Sequence, residues 1–326
     1  MKGRIWGWAL LGMVTLPAQA QLLVDQRELL QEDGRVPREM ALDRLQQVRF
    51  AFREMPAAGQ RWSTWLRGYA QDGEWRGADP SLQLQSQGLV VGLDRPLAGQ
   101  WMGGALLALG QSEADADSGG FVVDSQQLGI YAATRVYHQL GFKAGLLHGW
   151  HQLEGHRLQG GTRLSGDTQA RSLQLFGEAS YAMDFRNFSL EPFAGLAWQR
   201  SAFDGFGERG GAGALQLDGG DEERAYLTLG WRLARPWTLE QGRLVGRASL
   251  ALRQQLNDAR LSLDALNASG EQARLRGRDL DASSLRLDLS LDHELGRGRY
   301  LGLGYAGRFA ESAREQSLAL RLSLRF

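Results

Sequence analysis

The chain has no cysteine and only two lysines, Lys2 and Lys143. Without cysteine no disulfide can hold the fold, even in an oxidising compartment. Proline is scarce, at 7 residues of 326. Net charge is zero, which leaves no electrostatic footprint for nucleic acid. Beyond the N-terminus no run is long and apolar enough for a spanning helix. The longest patches, Leu89–Leu93 and Ala105–Leu109, are the size of a strand. What is plentiful is glycine, at 43 residues, within a chain that is 43% hydrophobic and has a mean hydropathy of −0.34. A soluble-looking average does not exclude a membrane barrel. Half of each barrel strand faces a polar lumen and cancels the half that faces lipid.

The N-terminus carries Lys2 and Arg4, then an apolar run from Ile5 to Leu16, then Pro17-Ala18-Gln19-Ala20. A charged start, a short apolar core and small residues at a cleavage site read as a secretory signal over residues 1–20. Residues 21–60 differ from all that follows and form a helical linker or plug segment. Within them Arg38–Glu54 lacks glycine and proline, and Ala41, Leu45, Val48 and Phe52 recur three to four apart. Pro37 and Pro56 bracket this helix. Its charges of both signs suit a wet pore or a solvated periplasmic position, and the sequence leaves both open.

From residue 61 onward the pattern is strand, turn, strand. The last stretch is the plainest: Leu318, Leu320, Leu322, Leu324 and Phe326 alternate with Ala319, Arg321, Ser323 and Arg325. A period of two puts leucine on one face and arginine on the other. A tilted membrane strand needs about 9–11 residues. Twelve strands are expected, at 62–71, 84–94, 101–112, 122–134, 137–149, 170–183, 189–201, 223–234, 243–255, 283–294, 299–309 and 317–326. Those at 84–94 and 101–112 are less clear, because both parities are apolar or glycine. The connections alternate between long (72–83, 113–121, 150–169, 202–222, 256–282 and 310–316) and short. Barrels pair long outer loops with short periplasmic turns. Trp62, Trp65, Trp101, Trp150, Trp198 and Trp237 fall near strand ends, where interfacial girdles sit. The expected fold is therefore an all-β, 12-stranded antiparallel transmembrane barrel over residues 61–326, with a short N-terminal helix.

Parity assigns the faces, since a charge facing lipid at mid-membrane costs about 2–4 kcal/mol. Arg67, Glu178, Glu191, Arg232, Arg247, Arg286, Asp288 and Arg321 are expected in the lumen, with Lys143, Arg253, Asp292, Arg308 and Arg325 on the same parity. They can pair with Glu39, Asp43, Arg44, Arg49 and Arg53 of the helix, or line an aqueous channel. Chemistry is sparse. Gly302 to Gly307 matches a dinucleotide fingerprint but lies inside a strand, where glycines pack rather than cradle phosphate. His148, His151 and His156 sit where a strand is expected to become a loop, with no helix to align them on a metal. Acidic clusters at Glu113, Asp115 and Asp117 and at Asp218 to Glu223 read as solvated loops. No catalytic residue, metal or cofactor is assigned.

Specific segments resemble a known family. They are Trp65-Leu66-Arg67-Gly68-Tyr69, Gly92-Leu93-Asp94-Arg95-Pro96-Leu97, Leu128-Gly129-Ile130-Tyr131 and Phe176-Gly177-Glu178-Ala179-Ser180-Tyr181. Leu190-Glu191-Pro192-Phe193 and the terminal Arg325-Phe326 complete the set. Residues 62–326 are similar to the translocator β-domain of type V autotransporters. The resemblance implies a twelve-stranded barrel of the Gram-negative outer membrane with a helix threading its pore. It also implies insertion by the barrel-assembly machinery, with periplasmic chaperones, reading Leu322, Leu324 and Phe326 as the assembly signal. The chain is expected to be a non-enzymatic monomer touching outer-membrane lipids. Between signal and barrel lie only residues 21–60, without asparagine, so a passenger and an Asn-centred self-cleavage site are both expected to be missing. A small porin and a surface hydrolase remain as alternatives.

Overall fold

A computed structural model describes residues 18–52, 62–76, 81–97, 100–136, 139–240, 242–257, 262–278, 280–296 and 298–325. The signal core at 1–17, Pro56 and Phe326 lie outside the described residues, and the side chains of Val48, Arg49 and Phe52 are not described.

Twelve long strands close into one antiparallel barrel. They are β1 (Ser63–Trp75), β2 (Leu82–Pro96), β3 (Trp101–Ala116), β4 (Gly119–Val136), β5 (Leu140–Gln159) and β6 (Thr162–Tyr181). The second half comprises β7 (Ser189–Phe203), β8 (Gly220–Leu239), β9 (Gly242–Gln255), β10 (Ser283–Gly296), β11 (Arg299–Phe309) and β12 (Ala313–Arg325). Each pairs with its sequence neighbours, and β12 returns to β1 over the full register from Ser63↔Arg325 to Trp75↔Ala313. Closure leaves no open edge to template aggregation.

The faces follow the alternation. Leu303, Leu318 and Ile130 point outward and are 63%, 67% and 62% exposed, whereas Arg321 and Arg308 on the opposite parity are buried. The outward band is far larger than a water-soluble monomer tolerates and suits hydrocarbon.

Several connections expected to be loops are strand. The segment 150–169 is the far half of the β5–β6 hairpin, closed by a two-residue turn at Gly160 and Gly161 with φ of 58° and 79°. Both central residues need positive φ in a type I′ turn, which glycine supplies. Beyond the bilayer the outward positions become polar (Gln152, Glu154), so the leucine alternation fades while the backbone ladder continues. The connections β7–β8 and β9–β10 contribute a small four-stranded sheet of Phe206–Gly207, Leu215–Leu217, Ser262–Asn267 and Gln272–Arg276. This sheet caps the long-loop end of the barrel.

About eight strands enclose an interior that side chains alone can fill; twelve leave a lumen, and the N-terminal segment occupies it. Helix α1 (Leu22–Asp33) runs through Gly34 into α2 (Arg35–Phe52), together about 45 Å at the usual rise. The helix therefore starts well before Pro37, which lies near the start of α2. Every residue from Leu22 to Glu32 is buried. A helix surrounded by wall has no solvent face, so no amphipathic stripe betrays it. At Gly34 an added Cβ would come within 3.0 Å of the Gln199 side chain and 3.1 Å of the Gln174 side chain. Gln174 Nε2 donates to the Gly34 carbonyl at 2.7 Å.

Candidate functional site

The lumen is divided lengthwise into a dry and a charged half. On the dry half Val36, Met40, Ala41 and Leu45 pack against Val90, Met102, Leu106, Ala108, Leu147 and Phe176 of β2–β6. This contact explains why β2 and β3 carry apolar residues on both parities: one side meets lipid and the other meets the helix. Trp65, expected in a girdle, is instead 4% exposed and faces the lumen, because the even-numbered residues of β1 take the lipid. Its Nε1 donates to Tyr131 Oη at 2.7 Å, and Tyr131 donates to Asp94 at 3.1 Å. Trp62, Trp101, Trp150 and Trp237 do face outward, at 38–51% exposure.

The charged half matches the helix residue by residue. Toward the capped end, Arg278 Nε donates to Asp25 at 3.0 Å, and Arg224 donates twice to Glu28 at 2.6 Å. In the middle, Arg253 donates to both oxygens of Glu32 at 2.8 and 3.1 Å, with Arg308 at 3.4 Å. Glu315 of β12 accepts from Arg35 of the helix, from Arg308, from Trp75 Nε1 at 3.0 Å and from Gln71 at 3.2 Å. Toward the other end, Arg286 pairs with Glu39 at 2.8 Å, and Arg67 and Arg321 grip Asp43 at 2.8 and 2.7 Å. Arg44 donates to both oxygens of Asp94 at 2.7 and 3.1 Å, to Ser63 at 2.6 Å and to Ser323 at 2.9 Å. That one guanidinium ties the helix to β1, β2 and β12, across the seam where the barrel closes. Charge-assisted bonds of this kind fix orientation as well as energy.

All eight lumen residues expected from parity line the interior, but they do different things. Arg67, Arg286 and Arg321 hold helix carboxylates, and Glu191 accepts from Gln46 at 3.0 Å. Glu178, Arg232, Arg247 and Asp288 pair within the wall. Glu178 takes Lys143 Nζ at 2.7 Å and both Arg232 nitrogens at 2.5 Å; Arg247 pairs with Asp292, and Asp288 with Arg286 at 2.8 Å. Among assembly-signal residues, Leu322 and Leu324 face outward at 38% and 40% exposure. Sequence reasoning missed Asp94, Arg224, Arg278 and Glu315. Glu315 has the lumen parity of Arg321 but fell in a segment expected to be loop.

Between the helix and β7–β10 remains a cavity of about 110 Å³ lined by Arg38, Asp43, Arg67, Glu178, Arg232 and Arg286. It has room for a handful of waters. The three candidate histidines do not converge: His151 faces inward between Ser125 Oγ and Ser172 Oγ, both at 2.8 Å. His148 and His156 sit on the outward parity of β5, and His148 lies edge-on to Trp150 at 4.5 Å. All three lie within β5 rather than at a strand–loop junction.

Comparisons with known proteins agree with this geometry. Residues 64–306 match the family model for the autotransporter beta-domain. The chain is 24% identical over 97% of its length to an extracellular serine protease of Serratia marcescens, and spans 31% of that relative's length. The translocator domain of autotransporter NalP from Neisseria meningitidis superposes with a TM-score of 0.78 at 16% identity, over 94% of this chain and 100% of that one. The beta domain of the Bordetella autotransporter BrkA gives 0.64 at 19% identity, over 81% and 98%. The chain is an outer-membrane translocator barrel and belongs to the autotransporter beta-domain family.

Proposed function

We propose that this barrel is a non-catalytic translocator held closed by its own N-terminal helix. The orientation of that helix carries the reading. Its C-terminal end meets Asp94, Ser63 and Ser323, beside the barrel's chain ends. Its N-terminal end lies under the cap formed by the long loops, where Leu23 and Val24 pack on Leu215, Leu217 and Leu263. With the start of β1 and the end of β12 in the periplasm, a segment preceding the helix emerges at the cell surface. The signal at residues 1–20 directs export, and Leu322, Leu324 and Phe326 are read by the assembly machinery after delivery by periplasmic chaperones. The barrel works as a monomer among outer-membrane lipids, with no nucleic-acid partner.

An epitope inserted between Ala20 and Gln21 tests this. On intact cells it is expected to bind antibody, in a protein that fractionates with outer membrane. Binding only after the outer membrane is permeabilised would contradict the reading. A large steady conductance of the intact chain in planar bilayers would favour a small channel instead.

A further inference from the structure

Three arginines near the periplasmic rim take the outward parity, Arg95, Arg235 and Arg299, and of these only Arg235 of β8 borders an apolar furrow among the described residues. It is exposed, and its guanidinium lies 5.4 Å from the centre of the Trp237 ring. Trp237 belongs to the periplasmic girdle, and Leu233, the next outward residue, enters the hydrocarbon. Arg235 thus sits one residue pair inside the aromatic level. A charge there is costly at depth but tolerated near the interface when it reaches back to headgroups. Among the described residues no carboxylate is recorded as its ion-pair partner.

The surface beside it is not smooth. Gly246 and Ala248 of β9 lie between larger outward residues on β8 and β10: Leu233 and Trp237 on one side, Leu291 on the other. The Trp237 ring leans over the glycine, within 2.8 Å of where a Cβ at 246 would lie. These residues border an open apolar furrow of about 960 Å³ that crosses the lipid face from β8 over β9–β12 to β1, with Arg235 at its β8 edge. A second arginine, Arg95, lies 5.1 Å from the Trp62 ring, but it does not line this furrow.

We infer that Arg235, Trp237 and the furrow that begins at Gly246 form a site for one anionic phospholipid of the inner leaflet, its phosphate on Arg235 and an acyl chain in the furrow across β9 toward Leu289 and Leu303. A single arginine near an anionic headgroup favours it by about fivefold over a zwitterionic one. The furrow supplies position; the guanidinium supplies the charge preference.

Native mass spectrometry of the full chain, released from detergent with matched phosphatidylglycerol and phosphatidylcholine, tests this. Wild type is expected to retain one phosphatidylglycerol, about fivefold over phosphatidylcholine. Arg235→Gln brings the ratio near one, Gly246→Leu removes the retained lipid, and Arg95→Gln leaves the preference in place. Folding of each variant is read from its heat-modifiable gel mobility. Should a variant fail to fold, the wild-type ratio alone decides. Equal retention of the two lipids by wild type, or an unchanged ratio in Arg235→Gln, overturns the site. Loss of preference in Arg95→Gln to the same degree as in Arg235→Gln also overturns it, because the effect would then be diffuse charge.

Discussion

Deleting residues 22–52 is expected to turn a closed barrel into an anion-selective pore about 10 Å wide, the diameter of the helix removed. The expectation rests on what remains. With the helix present, the space beside α2 is a cavity of only about 110 Å³, and a second pocket of about 760 Å³ lies between α1 and the wall toward the capped end. Without it, water enters and hydrates Arg224, Arg253, Arg286 and Arg321, which now neutralise Glu28, Glu32, Glu39 and Asp43. Those cations then face the pathway unmatched, and pore-lining arginine selects for anions. The barrel is expected to survive, because its ladder and lipid face do not involve the helix. Planar-bilayer recordings in asymmetric salt read both conductance and selectivity. A deletion variant as closed as wild type would mean that something other than the helix fills the lumen.

The second large effect is expected at Glu178. This carboxylate neutralises two cations of the wall, Lys143 and Arg232, and its side chain is 2% exposed. Removing one member of a buried pair costs about 3–5 kcal/mol, because the partner stays charged and loses its solvent substitute. Glu178→Ala strands two partners, so it belongs at the upper end of that range. Arg232 does keep its contact with the Phe193 ring, 3.6 Å from the centroid, but a ring does not replace a carboxylate. Lys143→Met is expected to cost less, about 1.5–3 kcal/mol, as Glu178 retains Arg232. Urea unfolding in lipid vesicles, followed by tryptophan fluorescence, gives both values. Equal losses would show that Arg232 adds nothing to the cluster and that Glu178 acts through Lys143 alone.

How far the sequence discloses this molecule depends on what lies on each side of a strand. Where lipid is on one side and charged lumen on the other, as along Leu285 to Asp292 or Leu318 to Arg325, parity is unambiguous and the faces could be read. In β2 and β3 the helix supplies an apolar neighbour on the inside, so the contrast disappears although the strands are there. In β5 and β6 beyond Trp150 the lipid ends, and the same ladder continues without its leucines. α1 is the opposite case, a helix hidden because the wall meets it on every side, with apolar residues against Leu22, Leu29 and Leu30 and charged partners for Asp25, Glu28 and Glu32. The lumen list was legible as a face but not as a set of partners. Nothing in sequence spacing links Arg44 to Asp94, or Arg35 to Glu315, because those pairs arise only when the barrel closes around the helix.

One measurement bears most directly on the alternation that all of this depends on. The chain has no native cysteine, so single cysteines placed at Leu303 and Leu320 can carry nitroxide labels in reconstituted vesicles. Both positions are expected to relax readily with oxygen, which partitions into hydrocarbon, and to be shielded from a water-soluble nickel chelate. Ready access of the chelate at both positions would mean that these leucines face water, and the barrel described here would not stand.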